Sequence, residues 1–341
     1  MLKRIRFHLP ALALVALLAM PSGALAAKTV WNINIFGPPR AVTKGIEYLK
    51  AKMEAASNGQ FEMNLQYGSV LGPEKQTPDG IKIGAFEGGQ MCVGYYPNKF
   101  PLLSVMELPF LAPRDIHENA KVYADILRYP PIVKEMHDRW NVKYLAPVLL
   151  PPYEFMGNKR ISSTEDMKGV KMRISGLNAE ALQVFGAVPT MVTAPEGYQA
   201  LDRGTIDSFG FPWTYAFGAY KLYEVSKYAT DGIGMSGFMC FQGVSQDAYD
   251  KLPDNLKKVI DDSQQGATDA LIEAYAAADK KWLPIFKQKL EVVPFPPAER
   301  AKLAQGAGKF WNAWAKEQDD AGRPGTQVLN YVKQEVAKYS K

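Results

Sequence analysis

The segment Asp166 to Gly176 reads DMKGVKMRISG and places an arginine within a strand-like alternation. Val170, Met172 and Ile174 share one face, while Lys171, Arg173 and Ser175 share the other. If the apolar face enters a core, Arg173 points away from it, either to water or into a cleft. In a cleft, a guanidinium offers a planar, permanently charged fork that matches a carboxylate. A second concentration of chemistry lies in SFGFPWTYAFGAYKLYE, which holds Phe209, Phe211, Trp213, Tyr215, Phe217, Tyr220 and Tyr223. Phe217, Tyr220 and Tyr223 recur at helical spacing and are expected to face a core. Phe211 and Trp213 flank Pro212 at a strand-to-helix junction. Strand ends facing an inter-domain crevice are where α/β layers bind ligands, so these two are the pocket candidates. Phe36 (in IFGPPR) and Tyr95 (in VGYYPNKF) stand at similar strand ends. For both, plain core packing is the competing reading. Glu74 is read as serving its turn.

Signatures of catalysis are missing from the chain. It has no G-x-S-x-G elbow, H-E-x-x-H helix, Walker loop or G-x-G-x-x-G fingerprint. Beyond the N-terminal segment only His117 and His137 remain, too few for a multi-histidine metal site. The expectation is a protein that is not an enzyme and uses no cofactor or metal.

Lys3, Arg4 and Arg6 precede an apolar run from Leu9 to Met20 and a small-x-small site at Ala24 to Ala26. This is the pattern of a signal peptide spanning residues 1–26, cleaved after Ala26 for export to the periplasm. Losing its three basic residues takes the net charge from +5 to +2. That balance gives no reason to expect nucleic acid as a partner. Cys92 and Cys240 both sit in apolar runs, QMCVGYY and GFMCFQG. They are expected to be free, buried thiols, with a disulfide as the alternative that export would permit.

Hydrophobic periodicity places these residues on a framework. WNINIFG, FEMNLQYG and GGQMCVGYY read as strands separated by helices, a β-α-β-α-β opening typical of an α/β layer with parallel strands. NVKYLAPVLL runs as a strand into Pro151-Pro152, after which a second α/β pattern begins. LPDNL caps a long helix from Asp254 to about Leu290, kinked at Pro284. The fold class is therefore α/β, a clamshell of two α/β lobes joined by crossing strands and a long spanning helix. One lobe is assigned residues 27–150 and about 239–278, the other 151–238 and about 279–320. Residues 321–341 form a helical tail.

Several segments carry a family resemblance. Gly68 to Glu74 (GSVLGPE) resembles a G-x-LG-x-E turn, and Leu108 to Leu111 reads LPFL. Asp166 to Arg173 resembles DLKGLKIR, Phe185 to Pro189 (FGAVP) resembles LGANP, and Tyr198 to Asp207 (YQALDRGTID) resembles YTALQTGVVDG. In this order, over residues 30 to 255 and behind a signal peptide, they resemble the dicarboxylate-binding-protein (DctP) type of substrate-binding subunit of tripartite ATP-independent periplasmic (TRAP) transporters. The resemblance implies a hinged receptor that closes on a small organic acid and docks on integral membrane subunits. It also implies a salt bridge from Arg173 to the ligand carboxylate.

Departures from the family pattern bear on the ligand. Sialic-acid and dicarboxylate binders of this family often carry a second arginine about twenty residues before the first, where this chain has Tyr153 or Glu154. Those binders also carry an asparagine before the proline of QENP, where this chain has Phe211. A second carboxylate buried without a cation is expensive. The expected ligand is thus a monocarboxylate with an apolar or aromatic body, such as an aromatic or 2-oxo acid, contacted by Arg173, Phe211, Trp213, Tyr153, Phe36 and Tyr95. The rival readings are a receptor of the same fold serving a sensor or ATP-driven transporter, and a periplasmic enzyme acting on carboxylates. A swapped C-terminal helix, Gly325 to Lys341, leaves the oligomeric state open.

Overall fold

The computed structural model describes residues 28–96, 98–174 and 176–340. The expected signal peptide and its cleavage point lie outside them, as does Ser175. The strands, in chain order, are β1 (Thr29–Ile35), β2 (Phe61–Tyr67), β3 (Gly88–Cys92), β4 (Val142–Val148), β5 (Tyr153–Gly157), β6 (Lys171–Arg173), β7 (Val188–Pro189), β8 (Ser208–Pro212), β9 (Tyr228–Asp231), β10 (Cys240–Ser245) and β11 (Glu291–Pro294). They form a five-stranded sheet, β2-β1-β3-β10-β4, and a six-stranded sheet, β11-β9-β5-β8-β6-β7.

The first sheet follows from the opening pattern. β1 pairs in parallel with β2 and β3. Trp31, Ile33 and Ile35 of β1 are buried with Ile46, Leu49 and Met53 of the Lys44–Ala56 helix. Burying an aliphatic side chain of this size contributes roughly 1.5–3 kcal/mol, so this one apolar stripe fixes the helix on the sheet. The chain then leaves through β4 and Pro151-Pro152 and builds the second sheet. It returns as β10, inserted antiparallel between β3 and β4. These two crossings join the lobes of a mixed α/β clamshell.

The expected single long helix is two helices, Asp254–Asp262 and Gln264–Lys289, meeting at Ser263, with Pro284 inside the second. The N-terminal half of the second lies against Gly45 through Ala267 and Leu271. Its other half places Trp282 on Gly218 and Phe286 5.6 Å from Trp213. One helix therefore braces both lobes. The terminal helix Gly325–Tyr339 packs on its own chain: Tyr331 stacks on Tyr129 at 3.9 Å, and the Tyr339 hydroxyl donates to Asp125.

Cys92 and Cys240 are disulfide-bonded, which corrects the expectation of free thiols. The reason is register. β3 and β10 run antiparallel with Cys240 directly opposite Cys92, a pairing hidden in the sequence by a separation of 148 residues.

Candidate functional site

Arg173 closes β6, opposite Phe209 on β8, and is 0% exposed. Its Cζ lies 4.5 Å from the ring centre of Phe209, 4.9 Å from Phe238 and 5.4 Å from Phe211. Nε donates to Val192 O at 2.9 Å, Nη1 to Gly210 O at 2.8 Å and Nη2 to Tyr95 Oη at 3.3 Å. A guanidinium has five N–H groups. One on each Nη is therefore left undirected, and these two form the fork that a carboxylate accepts. No carboxylate among the described residues comes within ion-pair distance of it.

Tyr95 reaches Arg173 from the first lobe, since it follows β3 directly. Its hydroxyl also accepts from Ala194 N at 3.0 Å. Burial raises the Tyr95 pKa while Arg173 pulls it back, so the hydroxyl keeps a proton to donate. Beside this contact is a cavity of about 20 Å³, lined by Phe36, Tyr95, Tyr153, Phe211, Tyr215, Tyr220 and Phe238 together with Arg40 and Gln90. A space of this size holds about one water, so an organic acid enters it only when the lobes stand further apart. Arg173 stands behind three of its walls, Tyr95, Phe211 and Phe238.

The structure thus brings Phe211, Tyr153, Phe36 and Tyr95 around one cavity, with Arg173 behind its wall. Trp213 is not among them. It packs on Phe217 at 5.8 Å and faces a separate open hollow with Arg114, Asp231 and Asp279. Tyr153 and Glu154 share β5 but point to opposite faces. Tyr153 lines the cavity, whereas Glu154 accepts from Thr230 Oγ1 at 2.6 Å and from the backbone N–H groups of Gly232, Ile233 and Gly234. Glu74 accepts from Ser69 Oγ at 3.3 Å within its turn.

Sequence reasoning missed Arg40, Gln90, Tyr220 and Phe238. Helical spacing assigns Tyr220 to the core, and its ring, 5.4 Å from Phe211, packs on the core while also lining the cavity. Arg40 stands four residues after Phe36, and the strand-end argument that selected Phe36 covers it equally. Arg40 is a second cation, at the cavity that Tyr153 and Phe211 line.

A further buried acid adjoins the site. Glu107, 1% exposed, accepts from Gly94 N at 2.8 Å and Met239 N at 2.9 Å. Burial pushes its pKa up to about 8, against the opposing pull of those N–H groups and of Arg173. Gly94 has no room for a side chain, because a Cβ would lie 1.8 Å from the Phe238 ring and 2.9 Å from Glu107 Oε2.

Known proteins resemble this chain over most of its length. A solute-binding protein of Verminephrobacter eiseniae is 28% identical over 253 residues, covering 71% of this chain and 72% of its own. A TRAP solute-binding protein of Rhodoferax ferrireducens, solved with copurified benzoate, superposes with a TM-score of 0.79 at 23% identity, covering 92% of this chain and 99% of that one. Another, from Desulfovibrio salexigens with bound orotic acid, gives 0.80 at 24% identity, covering 92% and 100%. At such identities the two structures establish the two-lobed fold. Residues 35–318 match the model of the bacterial extracellular solute-binding proteins, family 7 (DctP), and the chain belongs to that family, the one its sequence motifs resemble.

Proposed function

We propose that this protein is the exported receptor of a TRAP transporter, binding a small aromatic or apolar organic acid and delivering it to integral membrane subunits. One observation carries the reading: Arg173 is fully buried, has no carboxylate partner among the described residues, and keeps two N–H groups beside an aromatic cavity. A buried cation without a counter-ion is costly, and a ligand carboxylate supplies one. The aromatic walls favour a planar body, and the benzoate and orotic acid held by the two similar structures are of that kind. Nothing in the arrangement requires covalent chemistry. Closure of the lobes on the ligand is a population shift, driven by contacts that exist only when both lobes meet.

Thermal unfolding of the protein lacking residues 1–26 tests this, with benzoate, orotate, pyruvate and succinate offered to wild type and Arg173→Ala. A ligand at 100 times its Kd stabilises the folded state by about 2.7 kcal/mol. Aromatic or 2-oxo monocarboxylates should raise the midpoint of wild type and leave folded Arg173→Ala unmoved. An equal response from both proteins removes the salt bridge. A response to succinate alone removes the ligand class.

A further inference from the structure

Five charged side chains are buried among the described residues: Arg40, Glu107, Glu135, Glu154 and Arg173. The three acids are each met by backbone N–H groups. The two arginines differ in keeping donors with no acceptor among the described residues; Arg40 lines the cavity and Arg173 stands behind its wall. Arg173 is used by the reading above. Arg40 is not.

Arg40 is 8% exposed. It follows the turn Gly37-Pro38-Pro39, where Gly37 takes φ +70 and a Cβ would strike the Tyr220 hydroxyl at 2.1 Å. Nη1 donates to Phe36 O and Pro38 O, both at 2.8 Å. That grip fixes the guanidinium plane while leaving Nε and Nη2 without acceptors among the described residues. The Phe36 and Tyr220 rings lie 5.1 and 5.6 Å from its Cζ. Two more polar groups of this wall are unsatisfied. The Tyr220 hydroxyl and Gln90 Oε1 are buried without a hydrogen-bond partner, and Gln90 is 2% exposed. Buried polar atoms in a folded protein normally have partners, so two orphaned atoms beside the free donors of Arg40 mark a place for a polar ligand group.

We propose that Arg40, with the Tyr220 hydroxyl and Gln90, forms a second subsite that reads an oxygen substituent on the ligand. This deepens the receptor reading and rests on it. Arg40 comes from the loop after β1 and Arg173 from β6, with Phe211 and Tyr220 between them, so the two cations face the ligand from different lobes. The carboxylate on Arg173 therefore places the opposite edge of a single ring towards Arg40. The chemistry recognised there is an oxygen acceptor on an aromatic acid, either a phenolic hydroxyl or a second carboxylate. A phenol can also donate to Gln90 Oε1, whereas a second carboxylate would neutralise Arg40.

Isothermal titration of wild type, Arg40→Gln and Arg40→Lys with benzoate, 3-hydroxybenzoate and isophthalate tests the assignment. Charge-assisted hydrogen bonds of this kind correspond to roughly 10- to 100-fold in affinity. Wild type should bind at least one substituted acid tighter than benzoate by that factor. Arg40→Gln should bring the ratio towards one. In Arg40→Lys a preference for isophthalate should survive better than a preference for 3-hydroxybenzoate, because charge outlasts the fork, which separates the two ligand types. Equal affinities for all three acids in wild type overturn the proposal, as does an Arg40→Gln variant that keeps the wild-type ratio. If none of the acids binds wild type, the receptor reading for aromatic acids falls with it. If benzoate binding depends on Arg173 while the ratio ignores Arg40, only the second subsite falls. Arg40→Lys also guards against a loop that loses its shape in Arg40→Gln.

Discussion

The Tyr95 hydroxyl accepts from Arg173 Nη2 at 3.3 Å and from Ala194 N at 3.0 Å, so one oxygen of the first lobe joins two donors of the second. Its own proton remains for a ligand oxygen. The contact exists only when the lobes are together, and it lies where the carboxylate would bind. Tyr95→Phe removes an oxygen and keeps the ring that packs on Phe36 and Phe238. The ligand-free variant should be more open by small-angle scattering, and affinity for an aromatic acid should fall roughly tenfold, the worth of one hydrogen bond. Unchanged scattering and unchanged affinity would remove Tyr95 from both roles.

Glu107 gives the fold a pH dependence of definite sign. Its pKa is raised by burial from 4.5 to about 8, so the folded protein holds this proton more tightly than the unfolded chain. The stability it contributes is fully present below about pH 4.5 and is lost as the pH climbs through about 8. Glu135, raised to about 7 chiefly by burial, acts in the same direction. Glu107→Gln keeps an oxygen for Gly94 N and Met239 N but cannot ionise. Its melting temperature should vary less than that of wild type between about pH 5 and 8, gaining on wild type at the alkaline end. Parallel pH profiles for the two proteins would count against the assignment.

How much of this was legible in the sequence depended on whether the signal was local. The alternation around Arg173 and the β-α-β-α-β opening use near neighbours, and both elements are present, with Met172 and Ile174 in the core. The pairing of Cys92 with Cys240 depends on β10 returning to the first sheet between β3 and β4, which no local pattern encodes. Arg40 carries no local signal, because GPPR reads as a turn and a turn arginine is ordinarily solvated. Its burial comes from Tyr220, which lies 180 positions away in the chain and arrives from the other lobe. Trp213 lies away from this cavity for a related reason. The strand-end rule locates a crevice but not the side of the strand end that faces it, and the Phe286 ring draws the indole to the far side.

The disulfide anchors two segments that touch Arg173. Tyr95 lies just after Cys92 and Phe238 just before Cys240, and both cysteines line the cavity. Closing a loop of this length restricts the unfolded chain, and losing such a bond costs about 2–5 kcal/mol. The double Cys92→Ser, Cys240→Ser variant should unfold at lower denaturant and bind aromatic acids more weakly. A reducing agent should do the same to wild type and nothing further to the variant. Loss of stability with unchanged affinity would confine the bond to the fold.

Tyr153 and Glu154 are adjacent on β5 and allow binding to be separated from stability. Glu154 holds Gly232, Ile233 and Gly234 by their N–H groups and Thr230 by its hydroxyl, away from the cavity. Removing it leaves several buried donors unsatisfied, at about 1–3 kcal/mol each before relaxation. Glu154→Ala should therefore lower the unfolding free energy by about 3 kcal/mol or more, while the remaining folded protein binds aromatic acids within about twofold of wild type. Tyr153→Phe, at the cavity wall, should do the reverse and lose affinity with little change in stability. If Glu154→Ala instead abolished binding in protein shown to be folded, Glu154 would have to reach the ligand in some arrangement of the lobes, and its four contacts at the Thr230–Gly234 segment would then be a resting position rather than its role.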